Sequence, residues 1–395
     1  MSSSTLEEPC LIEKCELDRL IERLKCEGFI VVGPYVEDSA IQYREIQSMR
    51  DLPRGYRDTQ EPGEYRVAKL LKKNYFEFNL GPHSWKQFLF PPKLTVNSCT
   101  KKNESWEFIS KVDSQPKFAF LGVRACELAA IQVQDRVFME GPYVDPVYQA
   151  RRESTFIVAV NCTVAASTCF CTSMGTGPKC KSTFDLALTE LDCGFVVEVG
   201  TARGRSMISD LTTRELDPEH ARDSQLLQQR AVDQITKRLD TSEILNLLMG
   251  NLDHPHWDEV AKRCLSCTNC TMVCPTCFCS SVTDVSNLSG DEIERQRQWD
   301  SCFNVDFSYT TSGTVRDDIR SRYRQWLTHK LASWHDQFAS SGCVGCGRCI
   351  TWCPVGIDLT VEVAAIRNTP SSNRTLPVIQ PSCKAECAFP KDSKA

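Results

Sequence analysis

The sequence predicts an α/β N-terminal domain over residues 1–215 and an α-helical C-terminal domain over 216–369, followed by a poorly ordered tail, 370–395. Three observations predict it: apolar runs in strand, helix, strand order between 117 and 160, a change to helical periodicity after Pro218, and a four-cysteine run that occurs twice beyond residue 260.

The N-terminal elements follow from spacing. Leu17, Leu20, Ile21 and Leu24 fall on one helical face that ends at Gly28, and Phe29 to Val32 then reads as a strand. Lys117 to Val123 is a strand, Cys126 to Phe138 a helix and Thr155 to Val160 a strand, which implies a parallel pair. Phe184 to Leu191 and Phe195 to Val199 are further strands. After Pro218 the apolar positions Leu226, Leu227, Val232, Ile235 and Leu239 change the period, and Ile244, Leu245, Leu247 and Leu248 continue it. A long helix is expected from about Asp317 to Phe338, with Ile319, Tyr323, Trp326, Leu327, Trp334 and Phe338 on its apolar side.

Composition narrows the function classes. The chain has 395 residues, 41% hydrophobic and 25% charged, which suits a folded protein of two or three domains. A net charge of -5 gives no bulk attraction to nucleic acid or to an anionic membrane surface. No apolar run approaches the roughly 18 residues of a membrane span, and MSSSTLEEPC lacks a signal region, so a cytoplasmic protein is expected. Against that background, 23 cysteines in a reducing compartment point to metal binding before disulfides.

Residues 264–275 read CLSCTNCTMVCP and residues 343–354 read CVGCGRCITWCP, each C-x2-C-x2-C-x3-C-P. Three cysteines at this spacing let one tight loop supply three irons of a [4Fe-4S] cubane, while the fourth points to a neighbouring cluster. Cys264, Cys267 and Cys270 are therefore expected to share one cluster with Cys353, and Cys343, Cys346 and Cys349 the other with Cys274. Pro275 and Pro354 turn the chain out of each loop. Structural zinc usually takes two separated C-x2-C pairs and would leave a cysteine spare in each run. The 68 residues between Cys274 and Cys343 are expected to be a helical scaffold that brings Trp326 and Trp334 near the clusters or into ordinary core.

A third site is predicted after the strand ending at Val160, where α/β folds place ligands. Cys162, Cys169 and Cys171 lie close together in NCTVAASTCFCTSMGTGPKC, and Cys126 opens the helix after the neighbouring strand. These four are candidate ligands of a third [4Fe-4S] cluster, with Cys180 and Cys193 as substitutes; the competing reading makes Cys126 and Cys162 small core residues. Cys277 and Cys279, with Cys302, form a lower-ranked group. Cys10, Cys15, Cys26, Cys99, Cys383 and Cys387 are bystanders. SMGTGP reads as a turn around the cysteines and not as a phosphate loop, because G-x-G-x-x-G is incomplete. Arg316, Arg320, Arg322, Arg324 and Lys330 form a basic group that either is solvated, docks an acidic partner or offsets cluster charge. No catalytic set stands out, and His254 and His256 read as helix-entry residues.

FLGVRACELAAI at 120–131, NCT, CFCTSMGTGP, RCLSCTNCTMVCPTCFC, WDSCF and SRYRQWLTHKLASWHDQF running into GCVGCGRCITWCPVGID resemble a known family over roughly residues 60–365. It is the iron–sulfur β subunit of cytosolic NAD(P)-linked nickel-iron hydrogenases, the sulfhydrogenases, with the electron-transfer subunit of anaerobic sulfite reductase as a relative. The resemblance implies a ferredoxin-like two-cluster C-terminal domain with all eight motif cysteines as ligands. It implies a non-catalytic electron-transfer subunit between a flavin- and NAD(P)-binding diaphorase-type subunit and nickel-iron hydrogenase small and large subunits, or a sulfite reductase catalytic subunit. A self-contained iron–sulfur flavin reductase and a redox-inactive zinc scaffold are the readings from other classes.

Overall fold

The structure is a computed structural model that describes residues 8–103, 105–110 and 115–369. The tail expected at 370–395, with Cys383 and Cys387, lies outside the described residues.

The N-terminal part is built on an eight-stranded sheet. Its strands are β1 (Cys10–Glu13), β2 (Ile30–Glu37) and β3 (Ala40–Glu45) from the first 45 residues. Two hairpin strands follow, β4 (Tyr56–Glu61) and β5 (Glu64–Lys69), which pair with each other. Next come β6 (Lys93–Lys102), β7 (Ser105–Ser110), β8 (Phe118–Val123), β9 (Phe156–Val160), β10 (Leu186–Glu190), β11 (Gly194–Val199) and β12 (Thr213–Glu215). The large sheet runs β12-β1-β11-β10-β9-β8-β2-β3. Its centre, β2-β8-β9-β10, is parallel and its flanks antiparallel. Residues of β8, β9, β10 and β11 are buried throughout, as a parallel centre covered on both faces requires.

The covers differ. Helix Glu16–Cys26 packs Leu17, Leu20, Ile21 and Leu24 on one face, all fully buried. Helix Ala125–Phe138 covers the other face together with Trp85, Phe120 and Tyr148. Each such side chain contributes about 1.5–3 kcal/mol on burial. This second face is the one that meets the C-terminal part, through Val344 and Trp334.

The C-terminal part has its own core of Leu248, Trp257, Val260, Tyr323, Leu327, Ile350, Val363 and neighbours. Helices Ile244–Met249, His256–Arg263 and Leu359–Asn368 contribute, whereas helix Pro218–Gln234, expected in the C-terminal domain, lays Leu227 against Leu11, Leu191 and Val196 of the N-terminal part. The long helix is present in three pieces: Ile319–Thr328, a π-helical turn His329–Ser333, and Trp334–Phe338. The wide turn inserts Lys330 inward, and π turns of this kind concentrate at functional sites.

The expectation of an all-helical scaffold between the two cysteine runs needs correction. Ser280–Ser286 (β13) and Glu292–Trp299 (β14) form a hairpin that joins β6 and β7 in a second sheet, β13-β14-β6-β7. Their sequences, SSVTDVS and EIERQRQW, are too polar to show strand alternation. The turn is closed by polar contacts instead, with Asn287 Oδ1 accepting from the Asp291 and Glu292 N–H groups at 3.1 Å.

Candidate metal centres

Helix His256–Arg263 delivers Cys264, and the chain then turns through left-handed residues Ser266 (φ 51°) and Thr268 (φ 68°). Cys264, Cys267 and Cys270 thereby face one cavity with Cys353, against Phe303, Tyr323 and Trp326. The Ser266 N–H donates to Cys264 Sγ at 3.4 Å and the Ile357 N–H to Cys353 Sγ at 3.3 Å. Tyr323 Oη and Trp326 Nε1 are buried donors with no hydrogen-bond partner among the described residues, and both residues line this cavity. Cys267 is exposed and Leu265 is 61% exposed, so this cavity lies at the surface.

The second run repeats the backbone path with glycines: Gly345 (φ 67°) and Gly347 (φ 75°) stand where Ser266 and Thr268 stand in the first. The reason is proximity as well as conformation. A Cβ on Gly345 would lie 2.7 Å from Cys171 backbone, and one on Gly347 2.5 Å from the Thr168 carbonyl oxygen. Cys343, Cys346, Cys349 and Cys274 line a second cavity, with Phe170 and Lys330. The Gly345 N–H reaches Cys343 Sγ at 3.5 Å. Lys330, 3% exposed, donates to Cys274 Sγ at 3.3 Å, Thr276 Oγ1 at 3.2 Å and Cys277 Sγ at 3.5 Å.

At the ends of β8 and β9, Cys126, Cys162, Cys169 and Cys171 line a third cavity with Arg124 and Cys346. Cys126 lies in the first turn of its helix, where the positive end of the helix dipole favours an anionic group. Arg124 is buried, donates to the Phe76 and Phe78 carbonyls at 2.8 and 2.9 Å, and keeps a buried Nε without a partner. Beside it, Arg348 of the second run donates to Glu127 at 2.7 Å, and Glu127 also accepts from Trp85 at 2.8 Å and Tyr43 at 3.0 Å. Breaking a buried pair of this kind costs about 3–5 kcal/mol. The pair therefore clamps the second cysteine loop to the helix that carries Cys126. Cys349 lines both the first and second cavities and Cys346 both the second and third, which puts the three in a row.

Residues 263–357 match the family described as the 4Fe-4S dicluster domain. The C-terminal part of this chain is a 4Fe-4S dicluster domain. Beyond the dicluster domain, the chain is similar to sulfhydrogenase 2 subunit beta of Pyrococcus furiosus, 29% identical over 340 residues, which span 83% of this chain and 89% of the relative. No solved structure matches the chain.

The arrangement in the dicluster domain fits cubanes better than single ions. Among the described residues no three His, Cys, Asp or Glu side chains converge closely enough to hold one metal ion. Tetrahedral zinc, with Zn–S near 2.3 Å, needs sulfurs about 3.8 Å apart. A cubane gives each thiolate its own iron corner, and cysteines spread around a cavity suit that. The orphaned donors Tyr323 Oη, Trp326 Nε1 and Arg124 Nε would meet cluster sulfur, which accepts such bonds. Burial holds most of these thiols protonated: it pushes Cys343 and Cys171 up to about 12 and raises Cys270, Cys349, Cys126 and Cys169 well above the ordinary value. Cys274 goes the other way, held low by a hydrogen bond from Cys277 and by Lys330. Iron ligation needs thiolates, so loading these sites expels protons.

All twelve cysteines named from the sequence line the three cavities, with Cys349 shared by the first and second and Cys346 by the second and third. It leaves the two substitutes outside: Cys180 is buried beside Asn161, and Cys193 is exposed near Glu190 and His220. SMGTGP wraps Cys171, with Thr176 donating to the Val344 carbonyl at 2.6 Å. The basic group is divided: Arg322, which caps the Asp317 carbonyl at 2.9 Å, and Lys330, at the cysteines, are buried, while Arg316, Arg320 and Arg324 are half-buried and Arg320 pairs with exposed Asp258 at 3.0 Å. Trp326 lines the first cavity, while Trp334 packs on Phe278 at 5.4 Å. Arg124, Glu127 and Arg348 escaped sequence reasoning. Their one signal is a charged residue inside an otherwise apolar or cysteine-rich segment, VRACE and CGRC.

Proposed function

We propose that this chain is the electron-transfer subunit of a hydrogenase complex. In it Cys264, Cys267, Cys270 and Cys353 hold one [4Fe-4S] cluster, Cys343, Cys346, Cys349 and Cys274 a second, and Cys126, Cys162, Cys169 and Cys171 a third. Bound clusters of this type exchange single electrons without breaking a substrate bond. The observation that carries the reading is the row of three cavities, each joined to the next by a shared cysteine, Cys349 or Cys346.

The protein's own residues set the conditions. Lys330, Arg124 and Arg348 place buried positive charge beside the second and third groups, offsetting the charge of four thiolates. Phe303, Tyr323 and Trp326 limit water at the first. The surface position of Cys267 and Leu265 makes the first cavity the exchange end toward a partner. The family resemblance of the sequence motifs leads us to infer a diaphorase-type flavin and NAD(P) subunit and nickel-iron subunits as partners, in the cytoplasm, and the similarity to a sulfhydrogenase beta subunit supports assembly in a complex. No helix of the described residues is long and apolar enough to cross a membrane.

Iron and acid-labile sulfide in the anaerobically purified chain test this directly. About twelve of each, with magnetically interacting signals in the reduced-state EPR spectrum and no flavin absorbance, are expected. Zinc at one per four cysteines would overturn the reading.

A further inference from the structure

We propose that Cys279 and Cys302 form a reversible dithiol–disulfide couple, a thiol–disulfide exchange site that takes small disulfides and is separate from the three metal centres. The two residues sit where β13 begins and β14 ends. Ser280 pairs with Trp299, and the Asp300 N–H donates to the Cys279 carbonyl at 2.9 Å. Cys302 follows two residues later, so the hairpin's paired ends bring its side chain beside that of Cys279. Neither residue lines any of the three cysteine cavities, and both are partly accessible. Cys277 and Cys279 take different partners. Cys277 goes to Lys330 and Cys274, and Cys279 goes to Cys302.

Two buried lysines make the surroundings electropositive. Lys330 bonds Cys277, while Lys86 donates to the Cys277 carbonyl at 3.1 Å and stands 3.8 Å over the Trp299 ring. The hydrogen bond from Cys302 and these two cations bring the Cys279 thiol down to about 7, the range of reactive cysteines. Attack then falls to Cys279. Its thiolate displaces one sulfur of the incoming disulfide as a thiolate and leaves a mixed disulfide. Cys302 displaces the second sulfur and closes the Cys279–Cys302 bond. The protein dithiol is oxidised by two electrons, the small disulfide is reduced to two thiols, and the two cysteine protons pass to the products.

The test uses the anaerobically purified holoprotein, incubated with glutathione disulfide, alkylated, digested and mapped by mass spectrometry. A cross-linked peptide pair joining Cys279 to Cys302, reversed by dithiothreitol, is expected. In Cys279→Ser the cross-link is lost with iron content unchanged. Full alkylation of both cysteines after glutathione disulfide would overturn the proposal, as would loss of about four irons in the variant, which would make Cys279 a cluster ligand. The wild-type map decides even if the variant does not fold. A cross-link in a protein without iron would sink the relay and leave the dithiol standing.

Discussion

The two cysteine runs have the same spacing and the same left-handed backbone positions, yet their surroundings are opposite. The first, 264–275, tolerates Ser266 and Thr268 at those positions because it borders solvent, with Cys267 exposed. The second, 343–354, requires glycine there because its backbone lies against residues 168–171. One loop is an outer terminus and the other an inner junction, fixed by Lys330 on one side and the Arg348–Glu127 pair on the other. On the proposed reading a duplicated motif supplies ligands, while the contacts of each copy decide its place along the row.

The largest expected effect comes from spoiling the junction. Gly347→Ala drives a methyl toward the Thr168 carbonyl, 2.5 Å from the added carbon. Iron should fall from about twelve to about four per chain, leaving the first cluster alone; an unchanged count would show that the close approach is not required. A smaller effect is expected from Lys330→Met. Removing the ammonium that bonds Cys274 at 3.3 Å should make the second cluster harder to reduce. A negative shift on the order of 59 mV, tenfold for one electron, is expected in an EPR-monitored redox titration. Equal shifts at all three clusters would deny Lys330 its local role. Smallest is Thr268→Gly in the outer loop, which relieves a β-branched residue at φ 68°. Thermal unfolding should show a gain of at most about 1 kcal/mol with full iron content, and a clear loss would mean that the threonine side chain is needed.

Much of the site was legible in the sequence because cysteine spacing encodes loop geometry directly. The parallel strands were legible too, since β8 and β9 are continuous apolar runs. The hairpin Ser280–Trp299 was not, because its strands bury few side chains and take their register from β6. Arg124, Glu127 and Arg348 could not be read as a network either. Glu127 and Arg348 are 221 positions apart and meet only when the second loop docks on the helix of Cys126.

The central claim is that three cysteine groups form one row across the two parts of the chain, and Cys126 is the ligand that distinguishes three from two. Iron content and reduced-state EPR of the Cys126→Ser variant beside the parent test it most directly. A fall from about twelve irons to about eight, with the signals of the two remaining clusters retained, is the predicted result. About eight irons in both proteins would contradict it, confining the clusters to the dicluster domain and returning Cys126 to the core.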